Sequence, residues 1–253
     1  MSMPDVLGDL RLSNKHHAAA CQLLAWLPTV CAPVGVTFAG SIVAGTSGPS
    51  SDLDVVVLHD ANWRRRIQRR FGDTPAEIFI NSEKWLRFSI QEGATSASPV
   101  MAHMMATGKV VMDSGGRMAA LAEESQEILA RGPGWSAQQL LAARYAAVCA
   151  VEDALDLSGV DSPDFRHLQS LAVGAVARHA FLQRNMFPPR LKVQLSMLAR
   201  IDPEVAKLLS MALGGTPAEA SRALERAALA VLGSSSFFEW DSGQDGSTPG
   251  PLK

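Results

Sequence analysis

Long apolar runs are missing from this 253-residue chain. None approaches the roughly 18 consecutive apolar residues that a bilayer-spanning helix needs, so a membrane protein is not expected. The opening MSMPDVLGDLRLSNKHH lacks the basic start, apolar stretch and small-residue cleavage site of a secretory leader, so export is not expected. Cysteine is scarce. Cys21, Cys31 and Cys149 are odd in number and form no CxxC, which argues against a disulfide framework or a thiolate zinc site and fits buried thiols in a reducing, cytoplasmic setting. The histidines form no HExxH or HxH group, so each is read as structural or exposed. Charge of one sign is also lacking. With 23 basic and 25 acidic residues the net charge is −2, leaving no global field for a long polyanion; stable nucleic-acid binding is not expected, while a local phosphate site is compatible. What is present, 47% hydrophobic and 19% charged residues, suits an ordinary globular chain of one large or two small domains.

The Ala-rich segment 17–22 followed by Leu23, Leu24, Trp26 and Leu27 predicts a helix over 14–27, with Asn14 as its cap. VGVTFAG at 34–40, a Gly/Ser/Pro stretch to Ser51 and the apolar run 53–58 read as strand, polar loop, strand. ANWRRRIQRRF at 61–71 reads as a helix whose Arg64, Arg65, Arg66, Arg69 and Arg70 form a solvated face, 76–80 as a strand, 99–107 as a helix and 109–112 as a short strand. From Arg117 the pattern becomes Ala/Leu-rich, with helices over 117–130, 136–157, 164–186, 189–200, 203–213 and 217–232. The expected class is α+β: a small mixed-sheet domain over 1–115, an all-helical bundle over 116–233 and a tail over 234–253 too rich in Ser, Gly and Pro to pack. Disorder is expected from 234 or 241 onward, with Phe237, Phe238 and Trp240 as docking points.

The loop between the first two strands carries the chemistry. Asp52 and Asp54 stand at i and i+2 at the start of a strand, so both carboxylates leave the same face about 6 to 7 Å apart. Two anions aimed at one point are tolerated best around a hard cation, with Mg²⁺ the natural choice. Gly40 ends the preceding strand and lets the backbone turn, freeing amides and the Ser41 hydroxyl to hold an anionic oxygen. Glu77, within the predicted strand 76–80, supplies a third acid if that strand lies beside 53–58; its competing reading is a solvent-facing edge residue.

Gly40-Ser41, a loop of about ten residues, Asp52-x-Asp54 and the later strand acid Glu77 resemble the signature of the polymerase-β-like nucleotidyltransferase superfamily. The wording GTSGPSSDLDVVV is similar to aminoglycoside-nucleotidyltransferase-type members, in which a helical domain follows the mixed-sheet domain. The resemblance implies transfer of a nucleoside monophosphate from an NTP, usually ATP, to a hydroxyl, with release of pyrophosphate. It assigns two Mg²⁺ ions to Asp52 and Asp54, the triphosphate to Gly40 and Ser41 with Ser51 beside them, and to Glu77 either metal ligation or a general-base role. Three outcomes stay open: a small-molecule acceptor of aminoglycoside type, a protein or tRNA acceptor, and a nucleotide-binding regulatory module without turnover.

The helical half offers weaker candidates. Lys192 is placed to reach a phosphate, and Glu152, Asp153 and Asp156 to meet a cationic acceptor; the competing reading of all four is a solvated helix surface.

Overall fold

The computed structural model describes residues 7–10, 12–48, 51–242 and 244. The chain divides into two compact units, Met1–Pro133 and Gly134–Lys253. The class is α+β, a mixed five-stranded sheet with helices followed by a helical domain.

The first unit opens with helix α1 (Asn14–Trp26). Its cap is Ser13, not Asn14: the Ser13 hydroxyl accepts from the His16 amide at 3.3 Å, satisfying one of the donors a helix start leaves unpaired. Strand β1 (Pro33–Ala39) follows, then a one-turn helix α2 (Gly40–Val43), strands β2 (Leu53–His59), β3 (Arg64–Phe71) and β4 (Thr74–Asn81), helices α3 (Glu83–Thr95) and α4 (Val100–Thr107), strand β5 (Lys109–Asp113) and helix α5 (Arg117–Arg131). The sheet order is β3-β4-β2-β1-β5, with β2 and β4 parallel and the other neighbours antiparallel.

Alternation along the central strands sets the two faces. Leu53, Val55 and Val57 of β2, Ala76, Ile78 and Ile80 of β4, and Val36 and Phe38 of β1 form one core with Ala19, Ala20, Leu23 and Leu24 of α1. On the opposite face Val56 and Leu58 are also fully buried, where α4 and α5 pack on the sheet. Because α5 packs on α4, β1 and β5, the change of unit comes at 133/134 and not at 115/116, where the sequence pattern changes.

The main correction concerns residues 61–71. The arginine-rich segment is the edge strand β3, not a helix. Arginine is a good helix former in isolation, but Gly72-Asp73 closes a two-residue hairpin that pairs Phe71 with Thr74 and zips β3 onto β4 as far as Arg64 and Asn81. Gly72 has φ +58°, the left-handed conformation that the first central residue of such a turn needs. Ile67 and Phe71 then fall on the core face. The structure also adds α3 to the expected elements, with Leu86, Ile90 and Ala94 buried at every fourth position.

The second unit contains α6 (Ala137–Asp156), α7 (Pro163–Leu182), α8 (Leu191–Ile201), α9 (Pro203–Ala212) and α10 (Pro217–Leu232). Ser136, Ser162, Asp202 and Thr216 cap four of these starts, with Pro in the first turn of α7, α9 and α10. Their core is built from alanine with Val151, Val176, Leu198, Leu209 and Leu224. Residues 234–242 have no regular secondary structure, yet they make contacts within this unit. Trp240 stacks on Tyr145 at 4.5 Å, Arg144 lies over the Phe238 ring, and the Phe237 amide donates to Glu152 at 2.6 Å. Residues 243 and 245–253, for which disorder was expected, lie outside the described residues.

Candidate active site

The site grows from the end of the sheet where β2 and β4 begin. β2 and β4 run parallel with Asp54 beside Glu77, and β1 runs antiparallel with Ala39 beside Asp54. Period-two alternation puts Asp52, Asp54 and Glu77 on one face. One carboxylate oxygen from each lies within 4.8 Å of those of the other two, and all three residues are half-buried. The conditional placement of Glu77 is therefore met: β4 does lie beside β2, and three carboxylates converge.

Gly40 follows Ala39 directly, so the turn it makes sits against Asp54. Its φ is +78°, and a Cβ at this position would lie 2.0 Å from Asp54 Oδ2. Any side chain here would collide with the carboxylate and strain the backbone. The turn leads into α2, where the Ala44 amide donates to the Gly40 carbonyl at 3.0 Å and the Thr46 amide to the Ser41 carbonyl at 2.9 Å. The Ser41 and Ser51 hydroxyls share a hydrogen bond of 2.9 Å across the loop, and Ser51 Oγ also accepts from the Gly48 amide at 2.9 Å. These contacts draw both ends of the Gly/Ser-rich loop together beside the acids.

Arg66, expected on a solvated helix face, instead donates to Glu77 Oε1, and Gln68 Nε2 reaches the same oxygen at 3.3 Å. Gln68 is the cross-strand partner of Glu77 in the β3–β4 pairing, so the row Gln68, Glu77, Asp54, Ala39 runs across four strands. The hydrogen bond to Glu77 is the main cause that pushes the Arg66 pKa above its ordinary value, and the charge of Asp54 adds to it. The arginine thus balances part of the acidic charge. The signal that could have found it was the Gly-Asp hairpin, which turns the arginine run into an edge strand beside Glu77.

The donor set fits a hard divalent cation: oxygen ligands only, carboxylates from separate backbone positions, and a glycine that makes room for one of them. Lys192 lies in the first turn of α8 in the second unit. Glu152, Asp153 and Asp156 lie on α6, where Glu152 is already engaged by the Phe237 amide.

No family model matches the sequence, and no curated protein does. A similar solved structure is that of a nucleotidyltransferase-like protein from Exiguobacterium sibiricum 255-15, at 12% identity and a TM-score of 0.51 over 85% of this chain and 73% of that one. No helix among the described residues is long and apolar enough to cross a membrane. The chain has the fold of a nucleotidyltransferase-like protein, with an acidic trio able to hold a metal ion at one end of its sheet.

Proposed function

We propose that the chain is a nucleotidyltransferase that moves a nucleoside monophosphate from an NTP, with ATP the first choice, to a hydroxyl-bearing acceptor. The observation that carries this reading is the approach of Asp52, Asp54 and Glu77 to within 4.8 Å beside the Gly40 turn. A cluster of three half-buried carboxylates is electrostatically costly on its own, and a charge partner beyond Arg66 accounts for it. The presence of the third acid within reach of the pair supports turnover over a non-catalytic nucleotide-binding module.

Asp52, Asp54 and Glu77 would hold Mg²⁺, with two ions as the expected number. Bound there, the metal would lower the pKa of the acceptor hydroxyl and neutralise charge on the leaving pyrophosphate. The Ser41 and Ser51 hydroxyls and the amides after Gly40 bind triphosphate oxygens. The acceptor oxygen bonds to the α-phosphorus as the bond from that phosphorus to the bridging oxygen of pyrophosphate breaks. The hydroxyl proton passes to Glu77 or to water. A cytoplasmic location belongs to the same reading.

An aminoglycoside-like acceptor held by Glu152, Asp153 and Asp156 loses part of its support, because Glu152 is occupied by the Phe237 amide. Incubation with Mg²⁺ and α-labelled ATP, with aminoglycosides or cell extract as acceptor source, tests the general reading. Labelled product and pyrophosphate are expected from the wild type and neither from Asp52→Asn. Equal turnover in the variant would reject the assignment.

A further inference from the structure

The arginines of β3 have different partners. Arg64 and Arg69 lie over the Trp85 and Trp26 rings, and Arg70 donates to the Asp73 carbonyl. Arg66 instead reaches the acidic trio, where it and Gln68 donate to the same oxygen, Oε1 of Glu77. The register accounts for this. Gln68 stands opposite Glu77 and Arg66 opposite Phe79, so all four side chains share one face of the sheet, and Arg66 meets Glu77 on the diagonal with its guanidinium 5.1 Å from the centre of the Phe79 ring. The two members of this ion pair are held very differently. The Arg66 side chain is 64% exposed and that of Glu77 13%. Glu77 is fixed on an interior strand, while Arg66 stands on the edge strand with most of its side chain in water.

A carboxylate oxygen offers two lone-pair directions, and Arg66 and Gln68 take both of those on Oε1. A divalent cation shared by Asp52, Asp54 and Glu77 would meet a full positive charge on one of its own ligands, with twice the repulsion of two unit charges at the same spacing. Metal at the trio and a guanidinium on Glu77 therefore oppose each other. The arginine is the member that gives way, because an exposed ion pair holds little net energy and the Phe79 ring offers its guanidinium another place on the same face. Charged residues on an edge strand also prevent edge-to-edge pairing. The other four arginines of β3 supply that charge without touching the trio, so edge protection alone does not account for the contact with Glu77.

We infer, resting on the metal reading above, that Arg66 is the resident counter-ion of the acidic trio: it neutralises Glu77 in the metal-free protein and yields that carboxylate when a divalent cation binds. Arg66 is thus a positioning residue that sets the metal concentration at which the site fills. It has two opposed effects, support for the metal-free fold and resistance to metal. By linkage, metal loosens the ion pair by the same factor with which the pair weakens metal binding.

The test is a Mn²⁺ titration of the full chain followed by EPR, without nucleotide or acceptor. Arg66→Gln binds Mn²⁺ about tenfold more tightly than the wild type. A residue that merely orients Glu77 would act the other way, since losing an outer hydrogen-bond partner of a metal ligand typically weakens binding about 10–100-fold. Gln68→Ala removes such a partner without removing charge, and it weakens Mn²⁺ binding. Arg70→Gln removes a positive charge from the same strand but none from the trio, and at about 0.15 M salt it changes the affinity by less than about twofold. In urea unfolding, Arg66→Gln has a lower midpoint than the wild type without metal, and saturating Mn²⁺ raises that midpoint by more than it raises the wild type's. Unchanged or weaker Mn²⁺ binding in Arg66→Gln, or equal tightening in Arg70→Gln, overturns the counter-ion role and leaves the metal reading standing. No Mn²⁺ bound by either the wild type or Arg66→Gln removes the metal reading and the counter-ion role together.

Discussion

In the unit Gly134–Lys253, carboxylates sit where helices begin. Asp202 accepts from the Val205 amide at 3.2 Å at the start of α9 while pairing with Arg184 at 2.5 Å. Glu219 closes a capping box with Thr216 at the start of α10. Asp161 pairs with Arg166 through two bonds of 2.7 and 3.0 Å. Each of these acids satisfies a donor that folding would otherwise leave exposed or unpaired. Met1–Pro133 treats three of its acids differently. Asp52, Asp54 and Glu77 are brought together at the end of a sheet, where their mutual repulsion opposes folding. An acid that caps a helix is explained by the helix; three acids that converge have no such local explanation, and the proposed function supplies one in a metal ion that they could hold.

That contrast is open to direct attack. The largest effect is expected from Asp54→Asn, which should weaken Mn²⁺ binding, followed by titration with EPR detection, by more than about a hundredfold while leaving the far-UV circular dichroism unchanged. Leu224→Ala, in the core of the second unit, should cost about 2–5 kcal/mol in urea unfolding with no change in Mn²⁺ affinity of the folded protein. Gly40→Ala should do both things at once. Its strained φ is expected to cost about 1–2 kcal/mol, and the collision with Asp54 Oδ2 to weaken metal binding, whereas a purely structural glycine would affect stability alone. Thr216→Ala, removing a cap, should cost about 1 kcal/mol in the same unfolding experiment and leave the metal untouched.

The smallest effect concerns pH. Hydrogen bonds from Arg117 and then Arg87 hold the Glu83 carboxyl below its ordinary range. A depressed carboxyl pKa contributes stability that is present above the unfolded value and is lost as pH falls through the folded one. Glu83→Gln should therefore flatten the acid limb of a plot of unfolding midpoint against pH, with little change near neutrality. An unaltered acid limb would show that this exposed pair contributes nothing measurable.

Much of this contrast is legible in the amino-acid sequence. The strand–loop–strand around Gly40, Ser41, Asp52 and Asp54 is readable because β-branched residues, a Gly/Ser-rich loop and period-two alternation agree with one another. The helical unit is readable from its Pro, Asp-Pro and Gly breaks. Two features are not. Glu77 meets Asp54 through a parallel pairing of β2 with β4, and a long-range register leaves no mark in either strand alone. Arg66 reaches the acids only because 64–71 is a strand; intrinsic propensity favours a helix there, and pairing with β4 overrides it. Helix α3 is absent from the sequence expectations, although Leu86, Ile90 and Ala94 stand at helical spacing.

A crystal of the protein grown with Mn²⁺ and a non-hydrolysable NTP tests the central claim most directly, through the anomalous signal of the metal. The account predicts Mn²⁺ bonded to oxygens of Asp52, Asp54 and Glu77, with the triphosphate against Ser41 and Arg66 turned away from Glu77. Metal bound elsewhere, or none at the trio with Arg66 still paired to Glu77, would contradict it.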